Sequence, residues 1–165
     1  MKLFSSTYRV VAIFLFILVL ISTGFIRGGR AQVGGRPFTV APGYEMNVFA
    51  YSGTVPDFDG VALGPTSMAF DSQGRLFVGT GGAKILILLD NNGDGVVDQV
   101  KTFATNIHLP LGLEFRSDGD LYATSNVPTS SGTIGQVLRL RDTNGDDVVD
   151  DIAIVVNNLP SQGLN

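Results

Sequence analysis

Asp90-Asn-Asn-Gly-Asp-Gly-Val-Val-Asp98 and Asp142-Thr-Asn-Gly-Asp-Asp-Val-Val-Asp150 carry nearly the same nine-residue text, 52 residues apart. The likeness spreads to both sides. Phe70-Asp-Ser-Gln-Gly-Arg-Leu-Phe-Val78 aligns with Phe115-Arg-Ser-Asp-Gly-Asp-Leu-Tyr-Ala123 at an offset of 45, and the seven-residue difference falls on Asn126-Val-Pro-Thr-Ser-Ser-Gly-Thr133, a turn-rich insertion into the second unit. Between these landmarks, short runs rich in β-branched and aromatic residues alternate with Gly, Asn, Asp and Ser turns, so each unit reads as four antiparallel strands. The first unit places them at 66–70, 75–79, 83–89 and 99–104, the second at 112–115, 120–124, 135–141 and 152–156. A period of roughly 45 to 50 residues with several short strands marks a propeller blade rather than a helical solenoid.

The chain is therefore expected to be all-β, with blades at about 65–105 and 110–157 and a lead strand over 44–51. Leu159-Pro160-Ser-Gln-Gly163 resembles Leu109-Pro110-Leu-Gly112, which opens the second unit, so a third blade is expected to start at 159. A closed ring takes roughly four to eight blades, and on this reading residues 44–165 are a partial β-propeller from the N-terminal part of a longer protein.

Ahead of the repeats, Lys2 and Arg9 precede an apolar run from Val10 to Ile21, and Gly29-Arg30-Ala31 offers a small-residue cleavage site. Residues 1–31 are expected to be a signal peptide or, with the run extended through Phe25 and Ile26, an N-terminal anchor touching membrane only through 10–26. Either reading exports the body of the chain, to a periplasmic or extracellular address. Residues 32–43, rich in Gly, Pro and polar side chains, read as a flexible leader.

The whole chain has 11 basic and 15 acidic residues. Removal of Lys2, Arg9, Arg27 and Arg30 leaves 7 against 15, a net charge of −8 that argues against nucleic acid as a partner. The acidity is local, because eight of the fifteen acids sit in or beside the two loops. With no cysteine there are neither disulfides nor thiol chemistry, and a single histidine excludes paired-histidine metal sites.

Each loop presents side-chain oxygens at positions 1, 3, 5 and 9 with a backbone carbonyl at 7: Asp90, Asn92, Asp94, Asp98 and the Val96 carbonyl, then Asp142, Asn144, Asp146, Asp150 and the Val148 carbonyl. Hard oxygen donors at alternating positions of a tight loop suit Ca²⁺, and Gly95 permits the sharp turn. Position 12 is Lys101 or Ala153, so neither loop offers the bidentate Glu of an EF-hand. The second loop puts Asp147 where Gly is wanted. Asp tolerates the left-handed conformation better than most residues. The competing reading is a solvated hairpin whose carboxylates cap their own amides. His108, in Asn106-Ile-His-Leu-Pro110, is the single imidazole and so the default general base, but it has no carboxylate nearby in sequence to orient it, so no catalytic role is assigned to it. Gly79-Thr-Gly-Gly82 lacks the Lys and Ser/Thr of a P-loop and reads as the turn between two strands.

The lead stretch 44–50, Phe70-Asp-Ser-Gln-Gly-Arg-Leu-Phe-Val78, the two acidic loops and Leu109-Pro-Leu-Gly-Leu-Glu-Phe115 together resemble the quinoprotein glucose/sorbosone dehydrogenase family over nearly all of 42–165. The resemblance implies a six-bladed propeller of the quinoprotein type, pyrroloquinoline quinone (PQQ) as cofactor with Ca²⁺ assisting it, and a sugar or polyol as substrate. In that family a Leu-Pro-Ser-Gly segment like the one at 159–163 shortly precedes the histidine that takes the substrate hydroxyl proton. No residue here matches that histidine, and no catalytic residue is carried over. The expected function is the N-terminal part of an exported PQQ-dependent dehydrogenase; the alternatives are a non-catalytic calcium-stabilised propeller binding carbohydrate or protein, and a propeller lactonase.

Overall fold

Antiparallel ladder partners fix the strands in the computed structural model, which describes residues 30–33, 36–44, 46–51, 53–55 and 64–160. The expected signal peptide or anchor falls almost wholly outside the described residues. Among them no helix is long and apolar enough to cross a membrane. Residues 1–47 and 48–165 form separate compact units. In the first, β1 (Arg30–Val33) and β2 (Arg36–Thr39) pair as an antiparallel hairpin, so much of the stretch read as a flexible leader is paired backbone.

The second unit contains two four-stranded antiparallel sheets, and the described residues contain no helix. One sheet runs β3 (Pro65–Phe70), β4 (Leu76–Thr80), β5 (Lys84–Leu89), β6 (Gln99–Thr105); the other runs β7 (Leu113–Phe115), β8 (Leu121–Thr129), β9 (Gly132–Arg141), β10 (Asp151–Pro160). Each sheet is a simple meander in chain order, as the repeat predicts. Register places Ala69, Phe77, Ile87 and Lys101 in one row on one face of the first sheet. That face meets Leu113, Leu121, Ala123, Leu138 and Leu140 of the second sheet in a shared apolar core. The other face of the first sheet buries Val78, Leu86 and Leu88 with Val55, and Phe49 and Ala50 pack against them. The near-continuous apolar text of β5 follows from this. It is covered on both sides, as a central strand between two apolar layers must be.

Three expectations change. Among the described residues of the stretch 44–51 none is in a strand, and Val97 N of the first acidic loop donates to Phe49 O at 3.0 Å. The insertion 126–133 is not a loop but the extension of the β8–β9 hairpin, paired out to Thr129 opposite Gly132. Leu159 and Pro160, read as a blade opening, close β10 opposite Gly135 and Ile134.

One local arrangement fixes how the sheets meet, and a second holds the second sheet together. At the inner strands, the hydroxyls of Thr66 and Ser67 both donate to Pro110 O, at 2.8 and 2.5 Å. Gly79 lies beneath, where an added Cβ would stand 2.8 Å from Pro110 Cγ and 2.9 Å from Pro110 O. Close approach of two backbones requires glycine here. Gly79→Ala is expected to cost about 1–3 kcal/mol through overpacking, read as a lower urea midpoint; an unchanged midpoint would show that the inner strands separate freely. Within the second sheet, Asp120 is 3% exposed and accepts from Nε and Nη2 of Arg141 at 2.6 Å each, while Arg139 Nη2 donates to Asp151 at 2.5 Å. This network ties β8, β9 and β10 together. The Arg141 hydrogen bond holds the Asp120 carboxyl below the usual carboxylate range against the opposing effect of burial.

Candidate functional site

The two acidic loops join β5 to β6 and β9 to β10, and they fold alike because the same donors meet the same acceptors. Asp90 Oδ1 accepts from the amides of Gly93 at 2.7 Å and Asp94 at 3.3 Å, and its Oδ2 accepts from Gly95 N at 2.8 Å. Asn92 Oδ1 accepts from Asp94 N at 2.8 Å, and Asp94 Oδ1 from Val96 N at 2.9 Å. Asp98 Oδ2 accepts from Asn91 N at 2.8 Å, and its Oδ1 takes Asn92 Nδ2 at 3.2 Å. The second loop repeats the pattern. Asp142 accepts from Gly145 N at 2.7 Å and Asp147 N at 2.9 Å, Asn144 from Asp146 N at 2.9 Å, and Asp146 from Val148 N at 2.9 Å. Asp150 accepts from the amide and hydroxyl of Thr143 at 2.8 Å each. Amide donors, led by Gly95, hold the Asp90 carboxyl below its ordinary value, and Thr143 does the same for Asp150.

In both loops each of the Asp and Asn side chains expected to meet a cation accepts at least one N–H or O–H from its own loop. A carboxylate or amide oxygen that accepts one such bond keeps a second lone pair, so the donor chemistry suits a hard cation such as Ca²⁺. The gathering of side chains is not that of a closed metal shell: among the described residues no group of three or more acidic or histidine side chains converges as one. Val96 and Val148 are exposed.

What the loops do in the fold is hook each sheet to the element before it. Val97 N donates to Phe49 O, and Val149 N, at the same loop position, donates to Phe103 O at 2.9 Å across to β6 of the first sheet. In the second loop Asp147 adds charge to the hook. Its φ of 69° is the left-handed conformation expected where Gly95 stands in the first loop. That turn carries the carboxylate to Arg75 and to Lys101 Nζ, the latter at 2.5 Å, both on the face of the first sheet that carries Phe77. Arg75 also holds Asp71 through Nε at 2.6 Å. The Lys101 hydrogen bond, followed by that of Arg75, keeps the Asp147 carboxyl below the usual range despite partial burial. A cavity of about 380 Å³ opens here, lined by Arg75, Phe77, Phe115, Arg116, Asp142 and Asp147. The sequence marked Asp147 as a departure from the loop pattern; its partners lie 46 and 72 residues away, which no local spacing reveals.

His108 lies at the other end of the sheets, exposed in the β6–β7 connection, with its carbonyl accepting from Asn126 N at 2.7 Å. It borders a pocket of about 250 Å³ with Gly81, Ala83, Leu109, Asn126 and Thr133. No carboxylate lines that pocket to orient an imidazole. Ala83, Asn106 and Leu109 all take positive φ around it, at 60°, 61° and 48°. For Ala and Leu this is a strained backbone of the kind that clusters at functional sites, and neither residue type signals it in the sequence. Gly79 and Thr80 belong to β4, and 81–83 connect it to β5.

Residues 34–160 match a family described as a domain of unknown function, DUF7133. No curated protein matches the chain. Among solved structures, a Thermus thermophilus protein whose description assigns it as an oxidoreductase (glucose dehydrogenase) is similar at 23% identity with a TM-score of 0.45, over 63% of this chain and 31% of that one. Two structures of a Trichoderma reesei carbohydrate-active enzyme of family AA12, titled for iodide and for calcium, are similar at 26% identity, with TM-scores of 0.42 and 0.43, over 61% of this chain and 24% of theirs. The chain spans about a third to a quarter of the length of these structures.

Proposed function

The chain belongs to the DUF7133 family, and from its two repeats we propose that it forms part of an exported, six-bladed β-propeller of the quinoprotein type that oxidises a sugar or polyol with PQQ. The observation that supports the architecture is the approach of equivalent strands, without a ladder between them. β3 and β7, each the first strand of its sheet, lie side by side through Thr66, Ser67 and Pro110, as the innermost strands of neighbouring blades do around an axis. The sugar-oxidising part rests on the sequence resemblance over 42–165. Bound PQQ would supply the electron sink for C–H oxidation. Its carboxylates call for cations; Arg75, Lys101, Arg139 and Arg141 are each tied to a carboxylate and Arg116 donates to the Tyr122 hydroxyl, and no residue of these two repeats is assigned to the quinone. Nor is a catalytic role given to His108.

The test uses the full-length protein, reconstituted with PQQ and Ca²⁺ and assayed with a dye acceptor on aldoses and polyols. Quinone-dependent dye reduction with at least one of them is expected. Absence of both turnover and PQQ binding overturns the enzyme in favour of the second reading, a calcium-stiffened binding propeller. The oxygen-rich loops favour that second reading independently, and a calorimetric Ca²⁺ titration probes it. Heat and a raised melting point in the wild type, lost in Asp90→Ala with Asp94→Ala, would place the cation in the first loop; no difference would remove it.

A further inference from the structure

The hook between the sheets needs a carbonyl free to receive it, and β6 supplies one by bulging. Its register passes from Ala104 opposite Ile85 to Thr102 opposite Leu86, skipping Phe103. A bulged residue drops out of the ladder, and the Phe103 carbonyl receives Val149 N instead. Fifty-two residues on, at the spacing of the loops themselves, β10 does the same. Ile154 stands opposite Leu138 and Val156 opposite Val137, and Val155 is skipped. Among the described residues no loop amide reaches Val155, and its side chain is 51% exposed where that of Phe103 is 4% exposed.

We propose that the Val155 bulge, with the outer face of the second sheet beside it, is the docking site for a third four-stranded repeat whose acidic loop donates its second valine amide to the Val155 carbonyl. The proposal rests on the propeller architecture and not on the oxidoreductase chemistry. It continues an interface already present. The row Phe77, Ile87, Lys101 that receives the second sheet corresponds, at the repeat offsets, to Tyr122, Arg139, Ala153, a row that register also places on one face. The charge pattern has changed between the two. Arg75 and Lys101 are replaced by Asp120, already held by Arg141, and by Ala153. Arg139 is likewise engaged within its own sheet, its Nε buried 3.7 Å from Asp120 Oδ2 and its Nη2 held by Asp151. The occupant therefore meets this face through the bulge and the row beside it, and not by bringing an Asp to a Lys–Arg pair.

The experiment appends a second copy of residues 106–160 after Pro160 and follows hydrogen exchange in the copied loop, with no quinone or sugar present. The amide of the copied Val149 is expected to exchange at least about tenfold more slowly than in the same protein with Val155 deleted, the rate equivalent of one hydrogen bond. A third protein carries Glu114→Ala and Arg139→Ile in the receiving sheet, which gives it the apolar residues of the first sheet, and should protect the copied loop at least as well. Exchange of that amide at the unprotected rate in both duplicated proteins overturns the proposal, including when the chain self-associates through the face instead. Protection indifferent to Val155 deletion overturns it as well, by showing that the bulge is not the receiver.

Discussion

Phe77→Ala should cost about 3–5 kcal/mol of unfolding free energy, the largest loss expected of any single substitution here. Phe77 is 2% exposed and stands where the two sheets face each other. Its ring meets Phe103 edge-on at 5.2 Å between centroids and Phe115 edge-on at 4.8 Å. One side chain thus joins β4, β6 and β7, two strands of one sheet and one of the other. Removing it leaves a cavity that β-sheet backbones cannot collapse to fill, because both are held in register by their ladders. The Arg75 guanidinium lies 5.7 Å from the same ring, so the loss would also loosen the cation that receives Asp147. Phe77→Leu keeps most of the volume and should cost less than about 1.5 kcal/mol. Urea melts of the two variants check this. A Phe77→Ala midpoint close to that of Phe77→Leu would mean that the sheets adhere by their edges and loops, not through this core.

The sheets were legible in the sequence because their determinants are local and repeated. Each strand lies between turn residues whose conformations are demanded on the spot, such as Gly74 and Gly119 at the two β-turns, both at positive φ. The acidic loops were legible for the same reason, since every loop carboxylate but that of Asp147 closes on amides within seven residues. What depends on a distant partner was not. Residues 44–51 have strand-forming composition, but a strand is made by a neighbour, and here, among the described residues, the neighbour offers the Val97 amide. Residues 126–133 look like a loop, yet β8 and β9 continue through them, because Thr129 Oγ1 donates to Gly132 O at 2.9 Å and closes a two-residue turn. The bulge at Phe103 leaves no mark in composition at all. It became visible only through the register of β5 and β6, and its echo at Val155 only through the repeat.

Asp147 is where a residue that breaks the loop pattern can be given a measured purpose. Asp147→Ala should cost about 2 kcal/mol, less than a buried ion pair would, because Arg75 and Lys101 are 30% and 37% exposed and solvent screens part of each bridge. Asp147→Gly should cost about 1 kcal/mol less than that, since glycine adopts a φ of 69° without the penalty an L side chain meets. The difference between the two variants isolates backbone strain from charge. Asp147→Asn keeps the shape and removes the charge, and its stability should be compared with the wild type across pH. The folded-state carboxyl of Asp147 is held below its unfolded value. Its contribution is therefore complete above the unfolded range, near pH 4, and is lost as pH falls through the depressed folded value. The gap between wild type and Asp147→Asn should be widest at neutral pH, close on acidification below about pH 4, and narrow at about 1 M salt. Asp90, Asp120 and Asp150 are lowered too, so both proteins weaken in acid and only the difference between them reports Asp147. A gap that stays constant from neutral pH down to acid would show that the residue serves the turn and not the hook between the sheets.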